Sequence, residues 1–332
     1  MDSFIEKMII SRTPLRVSFV GGGTDLPVFC NSNRGAVIST AIQKYVYVIV
    51  HPAFDKKNRI AYSKIEVTNS ADEVMNTRVR EAMKMTGVGN GVEIHSVAEV
   101  PSGTGLGGSS SFTVGLLNAL YAYQGKHVGA ERLAKEAAEI EIKILKENIG
   151  RQDQFAAAFG GLNKIEFIGE DVKIKPLIFD SKIKKELENK LLMFYLGGQR
   201  DANEILNNQK QNLNNNEDLL SAYIEMRNMA DELEEHLISN RINKFGELLH
   251  KNWLLKKSLS NGISNEFIDK YYDLAMNAGA NGGKVLGAGG SGFLLIHVDE
   301  NNQDAVRKAL SDLREYDLKF DGEGSRIIYV GD

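Results

Sequence analysis

The chain has 332 residues, 42% of them hydrophobic, enough to bury a large core and to form two domains. Its net charge of -4 speaks against nucleic acid or an anionic membrane as the main partner. A single cysteine, Cys30, excludes an internal disulfide framework and a cysteine metal cage, and is expected as a small buried hydrophobe. No apolar run approaches the roughly 18 residues of a membrane span, and the N-terminus lacks a signal-peptide pattern, so a soluble cytoplasmic protein is expected.

In chain order, Met8–Ser11 and Leu15–Val20 read as strand material broken at Thr13-Pro14 and stopped by Gly21-Gly22-Gly23. Residues 36–50 alternate with β-branched and aromatic side chains, as a long strand or a strand pair does. The pattern predicts a helix over 71–87, a strand over 92–100, helices over 112–123 and 130–146, and strand character from Leu162. After residue 181 come a buried strand at 191–196, a long polar helical stretch over 204–258 interrupted at Asn212–Asn216, and an apolar run at 293–298. A helix over 301–314 and a closing strand over 325–330 complete the chain. The change of texture predicts two domains, 1–180 and 181–332.

Residues 101–111, PSGTGLGGSSS, stand directly before the apolar helical stretch. Glycines admit a ligand close to the backbone, and a helix N-terminus behind them presents free N–H groups to an anion. The segment therefore reads as a phosphate cradle. It lacks the Gly-Lys-Ser/Thr of the common P-loop, and it is no clear dinucleotide fingerprint. A flexible linker would not run straight into a clean helix start.

Three further sets of residues carry chemistry. Arg16 lies inside an apolar strand, where a charge needs a partner or a ligand, and Asp25 follows the glycine turn. Either could be structural: a core ion pair for Arg16, a helix cap for Asp25. Glu141 and Asp153 stand twelve residues apart, on a helix and just past its end. Two such carboxylates can divide metal binding from proton transfer, or be a surface charge and a cap. Glu139, Lys143, Lys146 and Glu147 read as surface charges. Residues 282–292, GGKVLGAGGSG, form a second glycine-rich segment, which is a tight turn or part of a joint ligand site.

Taken together, these segments resemble the GHMP kinase superfamily, named for galactokinase, homoserine kinase, mevalonate kinase and phosphomevalonate kinase. Residues 101–110 match its phosphate loop, Thr13–Asp25 its first motif and Gly282–Gly292 its third, in the right order. The resemblance implies an α+β fold of two domains, the first like ribosomal S5 domain 2 and the second ferredoxin-like, with the active site in the cleft between them. It places ATP on Pro101, Gly103, Thr104, Gly105, Leu106, Gly107, Gly108, Ser109 and Ser110, with Mg²⁺ between Ser109 and Glu141. Asp153 would accept the proton of the attacking hydroxyl, and Arg16 would neutralise charge beside it. Gly22, Gly23, Thr24, Asp25, Gly289 and Gly290 would hold the acceptor.

The triple glycine before Thr24-Asp25 resembles the bacterial D-glycero-D-manno-heptose 7-phosphate kinases more than the galactokinases. This implies transfer to the anomeric hydroxyl, giving the 1,7-bisphosphate for nucleotide-activated heptose in surface polysaccharide. A phosphorylated acceptor needs a second basic site, for which Arg200, Lys256 and Lys257 are candidates. Trp253 is expected as a core or cleft-wall residue. The alternatives are a kinase for an unphosphorylated sugar of the galactose or fucose type, and an inactive kinase-like sensor. Retention of Ser109, Glu141 and Asp153 argues against the sensor. The expected partners are a small sugar or sugar phosphate alone, with no nucleic acid or membrane, in a monomer or homodimer.

Overall fold

A computed structural model of the protein describes residues 7–198 and 217–331. Among these residues the first sheet has nine strands. Strand β1 (Ile9–Val20) is buried along most of its length and continuous, where the sequence suggested a break. Pro14 pairs with Tyr45, and the register shifts immediately after it. A bulge there accommodates the residue that has no N–H to give to the ladder.

The spine of this sheet is β2 (Arg34–Pro52), 19 residues long. It pairs with β1 over most of its length. It also pairs in turn with β6 (Leu162–Ile168), β12 (Phe320–Asp321) and β5 (Val92–Ala98), through residues 34–40, 41–42 and 46–52. Beyond β5 lie β3 (Asn58–Ala61), parallel to it, and β4 (Ile65–Thr68). β7 (Asp171–Pro176) pairs with β6, and β13 (Arg326–Val330) with β1. The sequence did not reveal the short strands β3, β4 and β7; β4 (IEVT) and β7 (DVKIKP) do alternate, but over only four to six residues.

Helix Gly108–Tyr123 packs on β1 and β2 and is buried almost all round, which explains its nearly unbroken apolar sequence. Its close approach rests on Gly115, where a Cβ would stand 2.6 Å from Thr13 Oγ1. The helix expected over 130–146 is α-helical only at Ala130–Ala138. It widens to a π-turn at Glu139–Ile144, with Leu145 N–H donating to the Ile140 carbonyl at 2.9 Å.

The second sheet contains β8 (Leu191–Gly197), β9 (Gly282–Val285), β10 (Gly292–His297) and β11 (Arg314–Tyr316). Its order is β11-β8-β10-β9, antiparallel throughout. In chain order that is 4-1-3-2, the ferredoxin-like arrangement. Its core includes Trp253, fully buried beside Tyr272, as expected of a core residue. The boundary drawn at 180 separates the two sheets, except that β12 and β13 return to the first one. Helix Phe245–Ser258 touches both β9 and β1, and Asn252 on it accepts the Gly21 N–H at 3.0 Å. That helix fixes the first glycine turn against the second sheet. No helix among the described residues is long and apolar enough to cross a membrane.

Candidate active site

The glycine loop of residues 101–107 ends at Gly107, the N-cap of helix Gly108–Tyr123 with φ +75°. No side chain caps this helix, so its first N–H groups are left for a ligand. Gly103, Gly105, Gly107, Gly108, Ser109 and Ser110 line a cleft of about 330 Å³, together with Ser102, Arg16, Asp25 and Asp153. The other three loop residues predicted to meet ATP do not line it. Pro101 is exposed outside the cleft, Leu106 is buried in the core, and the Thr104 hydroxyl donates to the Pro101 carbonyl at 2.9 Å. These three hold the loop's shape.

Arg16 is 4% exposed and ties the loop to the carboxylate. Its Nε donates to Asp153 Oδ1 at 2.7 Å, one terminal nitrogen lies in ion-pair contact with the same oxygen at 2.7 Å, and the other terminal nitrogen donates to the Gly105 carbonyl at 2.7 Å. Asp153 sits in the first turn of helix Gln152–Phe159, where a carboxylate meets the positive end of the dipole. The structure thus brings Arg16 together with the loop and Asp153, which lie 89 and 137 residues further along the chain.

Asp25 is also buried, and burial raises its carboxyl pKa above the usual range. It accepts from the Gly23 N–H at 3.2 Å, and from the backbone and side chain of Gln152 at 3.1 and 3.0 Å. Gly23 and Asp25 line the cleft. Gly22 lies beside Lys256, and a Cβ on it would stand 3.8 Å from the Lys256 Nζ. Thr24 departs from the expectation. It is fully buried, and its hydroxyl donates to the carbonyls of Gly21 and Ala36 at 2.8 and 3.0 Å, so it locks the turn rather than facing an acceptor.

The π-turn swings Glu141 inward, where it is fully buried rather than exposed on a helix. It receives Ser110 Oγ at 2.8 Å, Thr113 Oγ1 at 2.7 Å, Arg78 Nε at 3.2 Å and a close contact from Gln154 Nε2. The hydroxyl on Glu141 is therefore that of Ser110, not Ser109. Positions 110 and 113 share one face of the helix, whereas Ser109 is exposed at the cleft mouth. The hard oxygens of Ser110 and Glu141 suit a magnesium ion by their chemistry. Of the four donors on the carboxylate, Arg78 and Ser110 line the cleft. Arg78 also donates to Glu147 at 2.7 Å, so Glu147 belongs to the cleft wall and not to the outer surface. Neither Arg78 nor Glu147 carries a motif by which sequence could have singled it out.

The third glycine segment packs directly on the first loop. Gly105 (φ +85°) and Gly287 (φ +72°) face each other so closely that a Cβ on Gly105 would stand 2.4 Å from the Leu286 carbonyl oxygen. Gly105→Ala is accordingly expected to destabilise by about 2 kcal/mol. It should also raise the KM for ATP, read by thermal denaturation and initial rates. Gly89→Ala, at an exposed loop position with open space at its Cβ, should be neutral in both assays. The predicted acceptor residues Gly289 and Gly290 pack instead on Ile263, with the Gly290 N–H donating to its carbonyl at 2.8 Å. Gly287 and Ala288 line the cleft in their place.

Lys256 reaches the cleft from helix Phe245–Ser258 and donates to the Gly287 carbonyl at 2.5 Å. Burial, and next the charge of Arg16, push its ammonium down to about 8, while Asp25 and Asp153 pull it back up. Lys257 points elsewhere and pairs with Asp269 at 2.5 Å. Arg200 lies outside the described residues. Behind the cleft, the buried Lys284 donates to the carbonyls of Ser18 and Phe19 at 2.8 and 3.0 Å. Burial holds its ammonium well below the usual lysine range.

The cleft thus sets a glycine loop and an uncapped helix N-terminus beside a carboxylate paired with Arg16. The GHMP kinases N terminal domain matches residues 72–161, and the GHMP kinases C terminal domain residues 229–317. The chain is 32% identical to D-glycero-alpha-D-manno-heptose 7-phosphate kinase of Campylobacter jejuni, over 96% of this chain and 98% of that one. It is 26% identical to the galactokinase of Pyrococcus furiosus, over 94% of each. Among solved structures, a D-glycero-D-manno-heptose 1-phosphate kinase from Bacteroides thetaiotaomicron superposes with a TM-score of 0.81. That structure is 23% identical, covering 98% of this chain and 100% of its own.

The chain belongs to the GHMP kinase family. It is a sugar kinase, a phosphotransferase with an alcohol group as acceptor, and membership implies ATP as the donor.

Proposed function

We propose that the protein phosphorylates the anomeric hydroxyl of D-glycero-D-manno-heptose 7-phosphate, giving the 1,7-bisphosphate in the cytoplasm for nucleotide-activated heptose of surface polysaccharide. The observation that carries this reading is the match to the Campylobacter jejuni kinase over almost the whole of both chains. The cleft supports it with a buried cationic Lys256, close to the first glycine turn, for a phosphorylated or richly hydroxylated acceptor. In this reading the N–H groups at 107–110 receive the phosphates of ATP. The nucleoside fills the adjoining cavity of about 390 Å³ lined by Val46, Tyr62 and Phe112, which shares Arg78, Ser102, Gly108 and Ser109 with the cleft.

The acceptor hydroxyl loses its proton to Asp153 as its oxygen bonds to the γ-phosphorus, and ADP departs. Arg16 holds the carboxylate in place and offsets charge on the transferring group. Ser110 and Glu141 would hold Mg²⁺, which when bound neutralises phosphate charge; Arg78 shares Glu141 and would yield part of that contact. Asp25 and Lys256 orient the acceptor. An ADP-release screen across heptose 7-phosphate, heptose, galactose, fucose and mannose tests the choice. Turnover of plain hexoses without the sugar phosphate would overturn it in favour of the galactokinase-like alternative, which the Pyrococcus furiosus match supports.

Lys256 adds a pH dependence. It is charged below about 8 and neutral above. The kcat/KM for the acceptor should therefore fall as pH rises through that value. Lys256→Met should flatten this alkaline limb and sit low throughout. An unchanged limb in the variant would show that another group titrates.

A further inference from the structure

On the face of the nine-stranded sheet turned away from helix Gly108–Tyr123, three potential metal ligands converge. His51 on β2 stands directly opposite Glu93 on β5, and His95 follows Glu93 by two residues, so all three project to one side. His51 Nε2 lies 3.7 Å from Glu93 Oε2, and His95 Nε2 lies 3.5 Å from the same oxygen. One donor atom from each of the three lies within 4.8 Å of the others. Tetrahedral zinc with nitrogen and oxygen ligands at its usual bond lengths keeps neighbouring donors about 3.3 Å apart. The cluster is within a small side-chain adjustment of that spacing.

The surrounding contacts orient the donors inward. His51 Nδ1 is 3.0 Å from the Pro52 carbonyl oxygen, which can only accept. The ring proton of neutral His51 therefore sits on Nδ1, and the Nε2 lone pair faces Glu93 and His95. Arg59 on β3 donates to Glu93 Oε1 at 3.0 Å, which leaves Oε2 turned to the imidazoles. The two rings stack at 5.8 Å with an interplanar angle of 9°. The three side chains are 20–40% exposed, so an ion can enter from solvent.

We propose that His51, Glu93 and His95 form a three-ligand site for a divalent cation of the zinc class, with a fourth position open to water. Two imidazoles and a carboxylate favour such borderline ions over magnesium or calcium. The site cross-links β2 to β5, and through Arg59 to β3. It is separate from the catalytic cleft, whose lining includes none of the three ligands.

The test uses the full chain stripped with chelator and titrated with Zn²⁺ alone, followed by calorimetry, and with Co²⁺ alone, followed by visible absorption. One equivalent should bind, give the absorption of a low-coordinate cobalt site, and raise the melting temperature. His95→Ala and His51→Gln should each weaken binding at least about 10–100-fold. Neither should change kinase activity with Mg²⁺·ATP. Absence of binding to the wild-type chain, or equal binding to both variants, would overturn the proposal; the second outcome would place the ion elsewhere on the protein.

Discussion

Asp153→Asn is expected to lower kcat by on the order of 10³ while leaving ATP affinity within a few-fold of the wild type. The substitution isolates basicity from geometry. Both short contacts from Arg16 end on Asp153 Oδ1, an oxygen that an asparagine can still supply as an acceptor. The helix start at Gln152 and the Gln152 contacts to Asp25 do not depend on the lost charge. The amide, however, takes no proton from an attacking hydroxyl. Folding should cost only about 1 kcal/mol, the scale of a charge-assisted hydrogen bond made neutral. Single-turnover rates, ATP titration and a melting curve check the three parts. Near-normal turnover in Asp153→Asn would remove the general-base assignment, and phosphoryl transfer here would rest on positioning alone.

Much of this site was legible because its residues break local rules. A charged Arg16 within an apolar strand and glycines crowded before a helix are costly unless something compensates them. The compensation is now visible: Arg16 bridges Asp153 and the Gly105 carbonyl, and Gly105 sits against Leu286 with no room for a Cβ. What the sequence did not carry depends on side-chain direction. Whether Ser109 or Ser110 meets Glu141 is set by the helix beginning at Gly108, and the π-turn decides that Glu141 faces inward at all. Gly289 and Gly290 have positive φ like Gly287, but a Cβ on Gly289 would meet Ile263 and the Gly290 N–H bonds to the Ile263 carbonyl, which composition cannot disclose. Arg78 and Glu147 lay in ordinary surroundings in sequence, and Lys284 within a glycine-rich segment in which nothing set it apart. Only the packing of helix Thr77–Thr86 beside the π-turn, and the reach of Lys284 from β9 to the Ser18 and Phe19 carbonyls of β1, gives them partners.

Arg16→Met should be the second most damaging change, and it should act on two properties that Asp153→Asn separates. Two hydrogen bonds disappear together, one to Asp153 and one to the Gly105 carbonyl, along with a further ion-pair contact to Asp153. Breaking a fully buried pair costs about 3–5 kcal/mol, but the Asp153 side chain is 24% exposed and partly rehydrates. A loss of about 2 kcal/mol in stability is therefore expected. With the carboxylate freed to reorient and the charge beside the transferring group gone, kcat should fall about 10²-fold. The KM for ATP should rise as well, because Gly105 loses the tie that holds the loop; Asp153→Asn leaves that tie intact. The double variant Arg16→Met/Asp153→Asn distinguishes a working pair from two independent residues. If the guanidinium acts through the carboxylate, the second substitution adds little to the kcat loss, and the coupling exceeds about 0.5 kcal/mol. Fully additive losses would mean that Arg16 contributes through the phosphate loop alone, and that Asp153 keeps its working geometry without it.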